Sequence, residues 1–77
     1  MEKLLTFEQE ESGVLNIQLN LEGAQEMIEI FQRLLRCGLN EHDHLMTPGW
    51  GGTELTESKQ DDATTLVNQV NVFLWCE

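Results

Sequence analysis

The sequence predicts a small α+β domain of order β-β-α-β-β, with one helix packed on one face of a four-stranded, mostly antiparallel sheet. Three observations predict it. Apolar and polar residues alternate over residues 14–20, apolar residues recur every three or four positions over residues 24–35, and alternation returns over residues 70–75, within a strand expected at residues 65–76. The 77 residues suffice for one domain, taken as residues 1–77, and a hydrophobic content of 40% supplies one core.

The first two strands are expected to form a hairpin. Leu5 and Phe7 share a face of a strand over residues 3–8, since side chains alternate with a period of two. A turn signal at residues 10–13, Glu-Glu-Ser-Gly, precedes the second strand. That strand alternates apolar residues, which we expect to be buried, with amides, which we expect to face water. The apolar residues are Leu15, Ile17 and Leu19, and the amides are Asn16, Gln18 and Asn20.

The helix is the element with the strongest pattern. Asn20 is suited to cap its first turn, Glu22 suits the positive end of the helix dipole, and Gly38 is a suitable stop. Six apolar residues at three- and four-residue spacing form one face of this amphipathic helix. They are Ala24, Met27, Ile28, Phe31, Leu34 and Leu35.

The second half of the chain is predicted to contain two more strands. A strand over residues 42–47 places Leu45 inward, and residues 48–52 form a turn. The polar segment 53–64 is either an ordered loop or contains one helical turn. In the last strand, residues 65–76, both faces become apolar at the end, so Phe73 and Trp75 need a second cover or remain exposed.

The charge of the chain limits its partners. Fourteen acidic residues oppose four basic ones, for a formal net charge of -10. Phosphate backbones and anionic membrane surfaces are repelled by such a charge, so neither nucleic acid nor membrane is expected as a partner. A basic protein would be attracted, although solubility alone also explains the acidity. With no apolar run of 18 residues and no signal-peptide pattern, we expect a cytoplasmic protein.

Few residues are arranged for chemistry. His42 and His44, with Asp43 between them, have the one metal-like spacing, but a structural zinc site needs four ligands, so two surface histidines are the simpler interpretation. Cys37 lies at the end of the predicted helix, where the dipole raises the pKa of a thiol, and Cys76 has no supporting motif. We therefore expect no metal, no cofactor and no enzymatic activity.

A binding surface is the better explanation of segment 43–52, which holds the only proline, three glycines and Trp50. A tryptophan in a turn either anchors a protein interface or folds back to cap the core. We expect Trp50 to anchor a partner, with nearby charged and polar residues steering it. These are Glu54, Glu57, Asp61 and Asp62, together with Asp43 and His44. The alternative is an acidic homo-oligomeric module that dimerises through Phe73 and Trp75.

The run Asp-His-Leu-Met-Thr-Pro-Gly-Trp-Gly-Gly at residues 43–52, followed by Glu-Leu-Thr-Glu at 54–57 and by Gln60, resembles the signature of a family of bacterial polymorphic-toxin immunity proteins, family thirty-two. The similarity covers the length and element order of the chain, although only residues 43–60 are distinctive. The resemblance implies a cytoplasmic protein that binds and neutralises a cognate toxin domain, without catalytic residues or cofactor. The acidity of the chain suggests that the toxin is basic, for example a nuclease.

Overall fold

The structure is a computed structural model that describes residues 2–37 and 41–75. It confirms the α+β class, with one helix and antiparallel strands in this part of the chain. The elements are β1 (Leu5–Gln9), β2 (Leu15–Leu19), α1 (Leu21–Cys37), β3 (Glu41–Met46), a 3-10 turn (Pro48–Trp50), β4 (Thr65–Val67) and β5 (Gln69–Leu74). The predicted helix stop at Gly38, as well as Cys76, lies outside the described residues.

The strands form two sheets, so the prediction of a single four-stranded sheet was wrong. One sheet has the order β2-β1-β4 and the other pairs β3 with β5. The predicted last strand is interrupted at Asn68, whose carbonyl accepts a hydrogen bond from the Thr47 N–H at 3.0 Å. There the chain leaves β1 and joins β3. The inward face changes phase at the same point, because two polar residues, Asn68 and Gln69, separate inward Val67 of β4 from inward Val70 of β5.

The loop after the 3-10 turn links the two sheets. The Thr56 N–H donates to the carbonyl of Leu5 in β1 at 2.8 Å, and the Leu55 N–H donates to the carbonyl of Met46 in β3 at 3.2 Å. The Leu55 side chain is buried in the core. The polar segment 53–64 is therefore an ordered loop that belongs to the body of the protein.

The core lies between α1 and the two sheets. Leu45 points inward as predicted, and Leu5 and Phe7 share the face that packs against the helix. The buried apolar residues are Leu5, Phe7, Ile30, Leu34, Leu45 and Leu55. No helix of the described residues is long and apolar enough to cross a membrane.

Strand β2 departs from the expected burial. Leu15, Ile17 and Leu19 are 43–48% exposed, although they lie on the same face of the sheet as the buried residues of β1. The physical reason is position, because β2 is the edge of its sheet, and the buried cluster that includes residues of α1 contains Leu5 and Phe7 of β1 but no residue of β2. The prediction that this set is buried was therefore wrong.

The helix begins as predicted. The Asn20 Oδ1 atom accepts a hydrogen bond from the Gly23 N–H at 2.9 Å, which is the geometry of an N-cap. Gly23 also allows close packing, since a Cβ there would overlap the Leu4 carbonyl oxygen. Only part of the predicted apolar face is buried, because Ile28, Phe31 and Leu35 are exposed along one flank of α1.

Candidate partner-binding site

The turn that carries Trp50 is fixed to the body of the protein through Thr47. This residue is fully buried, and its carbonyl accepts hydrogen bonds from the N–H groups of Trp50 at 2.9 Å and Gly52 at 3.0 Å. Its hydroxyl donates to Asn68 Oδ1 at 2.8 Å. Pro48 opens the turn, where its missing N–H costs nothing. The turn is therefore held at its base by the junction between β4 and β5.

Two glycines are required by the shape of this turn. Gly51 has φ +91°, a left-handed conformation that side chains with a Cβ rarely adopt. A Cβ on Gly52 would lie 2.6 Å from the Met46 Cβ and would overlap the Met46 carbonyl oxygen. The glycine-rich sequence is thus explained by the tight return of the chain against β3.

The Trp50 side chain projects from this fixed turn and is 59% exposed. Of the two interpretations of the sequence, this position favours an indole that faces a partner over one that caps the core. Tryptophan is enriched at protein interfaces, where its indole offers a large apolar area and one N–H donor.

Glu54 and Glu57 hold the turn through backbone hydrogen bonds. A Glu54 Oε1 atom accepts from the Met46 N–H at 3.2 Å, and Glu57 Oε2 accepts from the Gly49 N–H at 2.9 Å. Both carboxylates were predicted as steering groups, and the structure gives them a positioning role as well. Their negative charges still lie beside the turn that carries Trp50.

Asp61 and Asp62 are exposed further along the loop. The Asp61 carboxylate accepts a hydrogen bond from the Ala63 N–H at 2.9 Å, which shapes a local turn. With Glu10 and Glu11, Asp61 also lines an open cleft of about 580 Å³. The structure therefore brings two acids of the first hairpin to the same cleft as Asp61 of the loop, a juxtaposition that the sequence did not predict.

Asp43 and His44 lie on opposite faces of β3. Asp43 is on the same face as buried Leu45 and forms an ion pair with Arg33 of α1 at 3.4 Å. His44 is exposed, and its Nδ1 atom lies 2.7 Å from Asn71 Oδ1. Asp43 and His44 were predicted to contact one partner together with Trp50. In the structure their side chains point to opposite faces of the strand.

His42 lies on the same face of β3 as His44. Its ring stacks on Phe73, with centroids 5.4 Å apart, and meets the His44 ring edge-on at 4.8 Å. Within residues 2–37 and 41–75, no group of three His, Cys, Asp or Glu side chains is placed to hold a metal ion.

Glu8 is an important residue that sequence reasoning missed. It is fully buried in β1, and its carboxylate accepts hydrogen bonds from two hydroxyl and two backbone N–H groups. The donors are Thr6 Oγ1 at 2.6 Å, Gln60 N at 2.9 Å, Thr64 Oγ1 at 3.1 Å and Asp61 N at 3.2 Å. Glu8 thereby fixes the acidic end of the loop to the sheet.

Burial and hydrogen bonding act in opposite directions on the pKa of Glu8. Burial raises the pKa of the carboxyl group, while the four hydrogen bonds to its oxygens lower it and prevail, so the pKa of Glu8 lies below its ordinary value. Three of the donors are 52–56 residues away along the chain. No local signal around Glu8 could have revealed them.

Comparisons of this chain with protein-family models, with curated proteins and with solved structures each give no match.

Proposed function

We propose that this protein is a cytoplasmic immunity protein that neutralises a basic bacterial toxin domain by binding it stoichiometrically. The observation that carries the proposal is the exposed Trp50 on a turn fixed by buried Thr47. The resemblance of residues 43–60 to immunity family thirty-two supplies the class of partner. The net charge of -10 supplies the expected sign of the partner's charge.

The turn is suited to binding because little order is lost when a partner arrives. Tryptophan is among the residues that most often dominate interfaces, where truncation of one costs about 2 kcal/mol or more. A side chain presented by a rigid turn avoids part of the entropy cost of association. Thr47, Gly52 and Glu57 provide that rigidity here.

The acids divide into two roles in this proposal. Glu54 and Glu57 mainly position the turn, since their carboxylates accept backbone hydrogen bonds. Asp61 and Asp62 are exposed and mainly attract the partner. Attraction of this kind raises association rates by about 10–1000-fold at low ionic strength and fades as salt is added.

The direct test co-expresses this chain with candidate toxin domains encoded by neighbouring reading frames and measures survival of the host cells. We expect Trp50→Ala to lose protection and to weaken binding of the purified toxin domain by about 30-fold or more. Trp75→Ala is the matched control, because Trp75 is a second exposed tryptophan, at 74%, outside the turn. A folded Trp50→Ala variant that protects fully would refute the anchor role.

A second experiment addresses steering. Asp61→Asn with Asp62→Asn should slow association with the toxin domain at low salt and leave dissociation nearly unchanged. Glu2→Gln with Glu29→Gln removes the same charge from exposed positions outside the loop. Equal slowing by both double variants would show that only net charge matters, and no slowing by either would remove steering altogether.

The alternative function, an acidic homo-oligomeric module without a toxin partner, is favoured by the exposure of Phe73 and Trp75. In that case no candidate toxin domain would bind, and Trp75→Ala would reduce the sedimenting mass of the pure protein. Trp50→Ala would not.

A further inference from the structure

Strand β2 is an edge strand without the usual protection. β1 pairs with it on one side, and no strand of the described residues pairs with the other. Natural edge strands carry lysine, proline, inward charges or bulges that prevent further pairing. Residues 14–20, Val-Leu-Asn-Ile-Gln-Leu-Asn, contain no charge and no proline, and the register with β1 is regular. Such an edge is a template for another strand.

The hydrogen-bonding phase shows which backbone groups are open. The Glu10 N–H donates to the Val14 carbonyl at 2.8 Å, and the Asn20 N–H donates to the Leu4 carbonyl at 3.2 Å. In an antiparallel pair, residues alternate between facing the partner strand and facing away from it. Val14 and Asn20 face β1, so the N–H and C=O groups of Leu15, Ile17 and Leu19 point to the open edge.

We propose that β2 pairs antiparallel with β2 of a second copy of this chain, about a twofold axis at Ile17. The segment Leu-Asn-Ile-Gln-Leu has the same type of residue when read in either direction. The axis places Leu15 opposite Leu19 of the second copy and Ile17 opposite Ile17 of the second copy. Every outward backbone group of these three residues then finds a partner, and the two three-stranded sheets become one six-stranded sheet.

The same arrangement covers the exposed side chains of β2. Leu15, Ile17 and Leu19 lie on the face that carries α1. A twofold axis perpendicular to the sheet keeps both helices on one face, so the two apolar rows form one strip between them. This explains why three apolar residues at the edge of the sheet are 43–48% exposed in the single chain.

Charge and size both favour a second copy as the occupant. Residues 13–21 carry no charge, so two chains of net charge -10 can meet there, whereas a basic partner would find no acid on the strand. Stable interfaces take about 800 Å² from each partner, roughly 15% of the 5276 Å² that this chain exposes. None of residues 10–22, about a sixth of the chain, is buried.

The free edge of β5 fits a second copy less well. The Asn68 carbonyl faces β3, because it accepts a hydrogen bond from the Thr47 N–H. The backbone N–H and C=O groups of Val70, Val72 and Leu74, at every second position after it, therefore also face β3. The backbone groups that point away from β3 belong to Gln69, Asn71 and Phe73. A twofold axis at Asn71 would place the amide of Gln69 opposite the aromatic ring of Phe73 in the second copy. Of these two edges, the β2 edge is therefore the self-complementary one.

The test is sedimentation velocity of the full chain without any partner, over concentrations from about 1 μM to about 500 μM. We expect a species of twice the 8.8 kDa chain mass. Ile17→Lys should raise the dimer dissociation constant about 100-fold, because it places two like charges at the axis. Ile17→Pro, which removes an outward N–H and spares the bonds to β1, should have a similar effect.

Trp75→Lys is the matched control, since it adds the same charge at an exposed apolar residue outside β2 and should leave the dimer intact. Raising the salt concentration should strengthen the dimer by screening Glu10, Glu11 and Glu22 at its margin, whereas it weakens binding of a basic toxin. Success or failure of this proposal is thus independent of the proposed function.

Amide hydrogen exchange gives a measurement that does not depend on variants. The N–H groups of Leu15, Ile17 and Leu19 should be protected at high protein concentration and exchange freely on dilution. Those of Asn16 and Gln18, which face β1, should be protected throughout. A monomer at every concentration, or a dimer lost in Trp75→Lys and kept in folded Ile17→Lys, would overturn the proposal.

Discussion

The Glu57 carboxylate accepts a hydrogen bond from the Gly49 N–H at 2.9 Å, eight residues earlier in the chain. This bond ties the acidic loop to the turn that presents Trp50. The nearest atom to a Cβ built on Gly49 is the same carboxylate oxygen, at 2.6 Å, so glycine allows the approach. The carboxylate and the indole are therefore parts of one local structure, and a change in the first should alter the mobility of the second.

Glu57→Ala should loosen the turn with little effect on global stability. The Gly49 N–H loses its acceptor, but water can reach it at this exposed position, so we expect a loss of about 1 kcal/mol or less. Backbone order parameters of residues 49–52, measured by nitrogen-15 relaxation, should fall. Glu57→Gln retains an acceptor oxygen and should behave like the original protein. Unchanged order parameters in Glu57→Ala would show that Thr47 alone fixes the turn.

Gly52→Ala should destabilise the whole domain. The added Cβ meets the Met46 backbone and Cβ, which belong to a paired strand and cannot move aside easily. Overpacking of this kind costs about 1–3 kcal/mol, measurable by urea unfolding. Thr53→Ala, at the exposed neighbouring residue, should stay within about 0.5 kcal/mol of the original protein. Equal stability of the two variants would mean that β3 adjusts to the extra atom.

The sequence predicted features that depend on neighbours close in the chain. The Asn20 cap, the amphipathic pattern of α1 and the inward position of Leu45 are of this kind, and each appears in the structure. The division of the last strand coincides with a break in alternation at Asn68 and Gln69, but that break carries no information about which strand lies alongside each half. The exposed edge at Ile17 has the same origin, since a period-two pattern gives the face of a strand and not its place in the sheet.

The candidate site was predictable to a similar degree. Proline, tryptophan and glycines within residues 48–52 predicted a shaped turn, because their backbone preferences are local. That Asp43 and His44 face opposite ways follows from strand periodicity, once β3 is known to be regular there. The sequence could not predict that Glu8 anchors the acidic loop, because its hydrogen-bond donors in the loop lie 52–56 residues away along the chain.

Asn20→Ala should destabilise the domain more than loss of a helix cap alone. Besides capping at Gly23, the Asn20 Oδ1 atom accepts from the Leu4 N–H at 3.0 Å, and its Nδ2 donates to the Glu2 carbonyl at 2.7 Å. We expect a loss of about 2 kcal/mol, compared with about 1 kcal/mol for a typical capping residue. Asn20→Asp keeps the acceptor oxygens and should lose less. Equal losses of stability in Asn20→Ala and Asn20→Asp would show that the hydrogen bond from Nδ2 to the Glu2 carbonyl makes the main contribution.

The buried carboxylate of Glu8 should make the stability of the domain depend on pH. Because hydrogen bonds hold the pKa of Glu8 below its ordinary value in the folded protein, folding favours the charged form. This stabilisation is fully present above the unfolded-state pKa of about 4.3 and is lost as the pH falls through the lower folded-state pKa. Urea unfolding at a series of pH values from neutral to about 3 should show the decline.

Glu8→Gln isolates this effect from the background of the other acids. The substitution keeps the shape of the side chain but turns an amide group toward N–H donors of the loop, so we expect a loss of about 2 kcal/mol at neutral pH. The difference in unfolding free energy between the original protein and the variant should shrink as the pH falls below about 4.3. A difference that stays constant down to pH of about 3 would mean that the charge of Glu8 contributes nothing beyond the geometry of its hydrogen bonds.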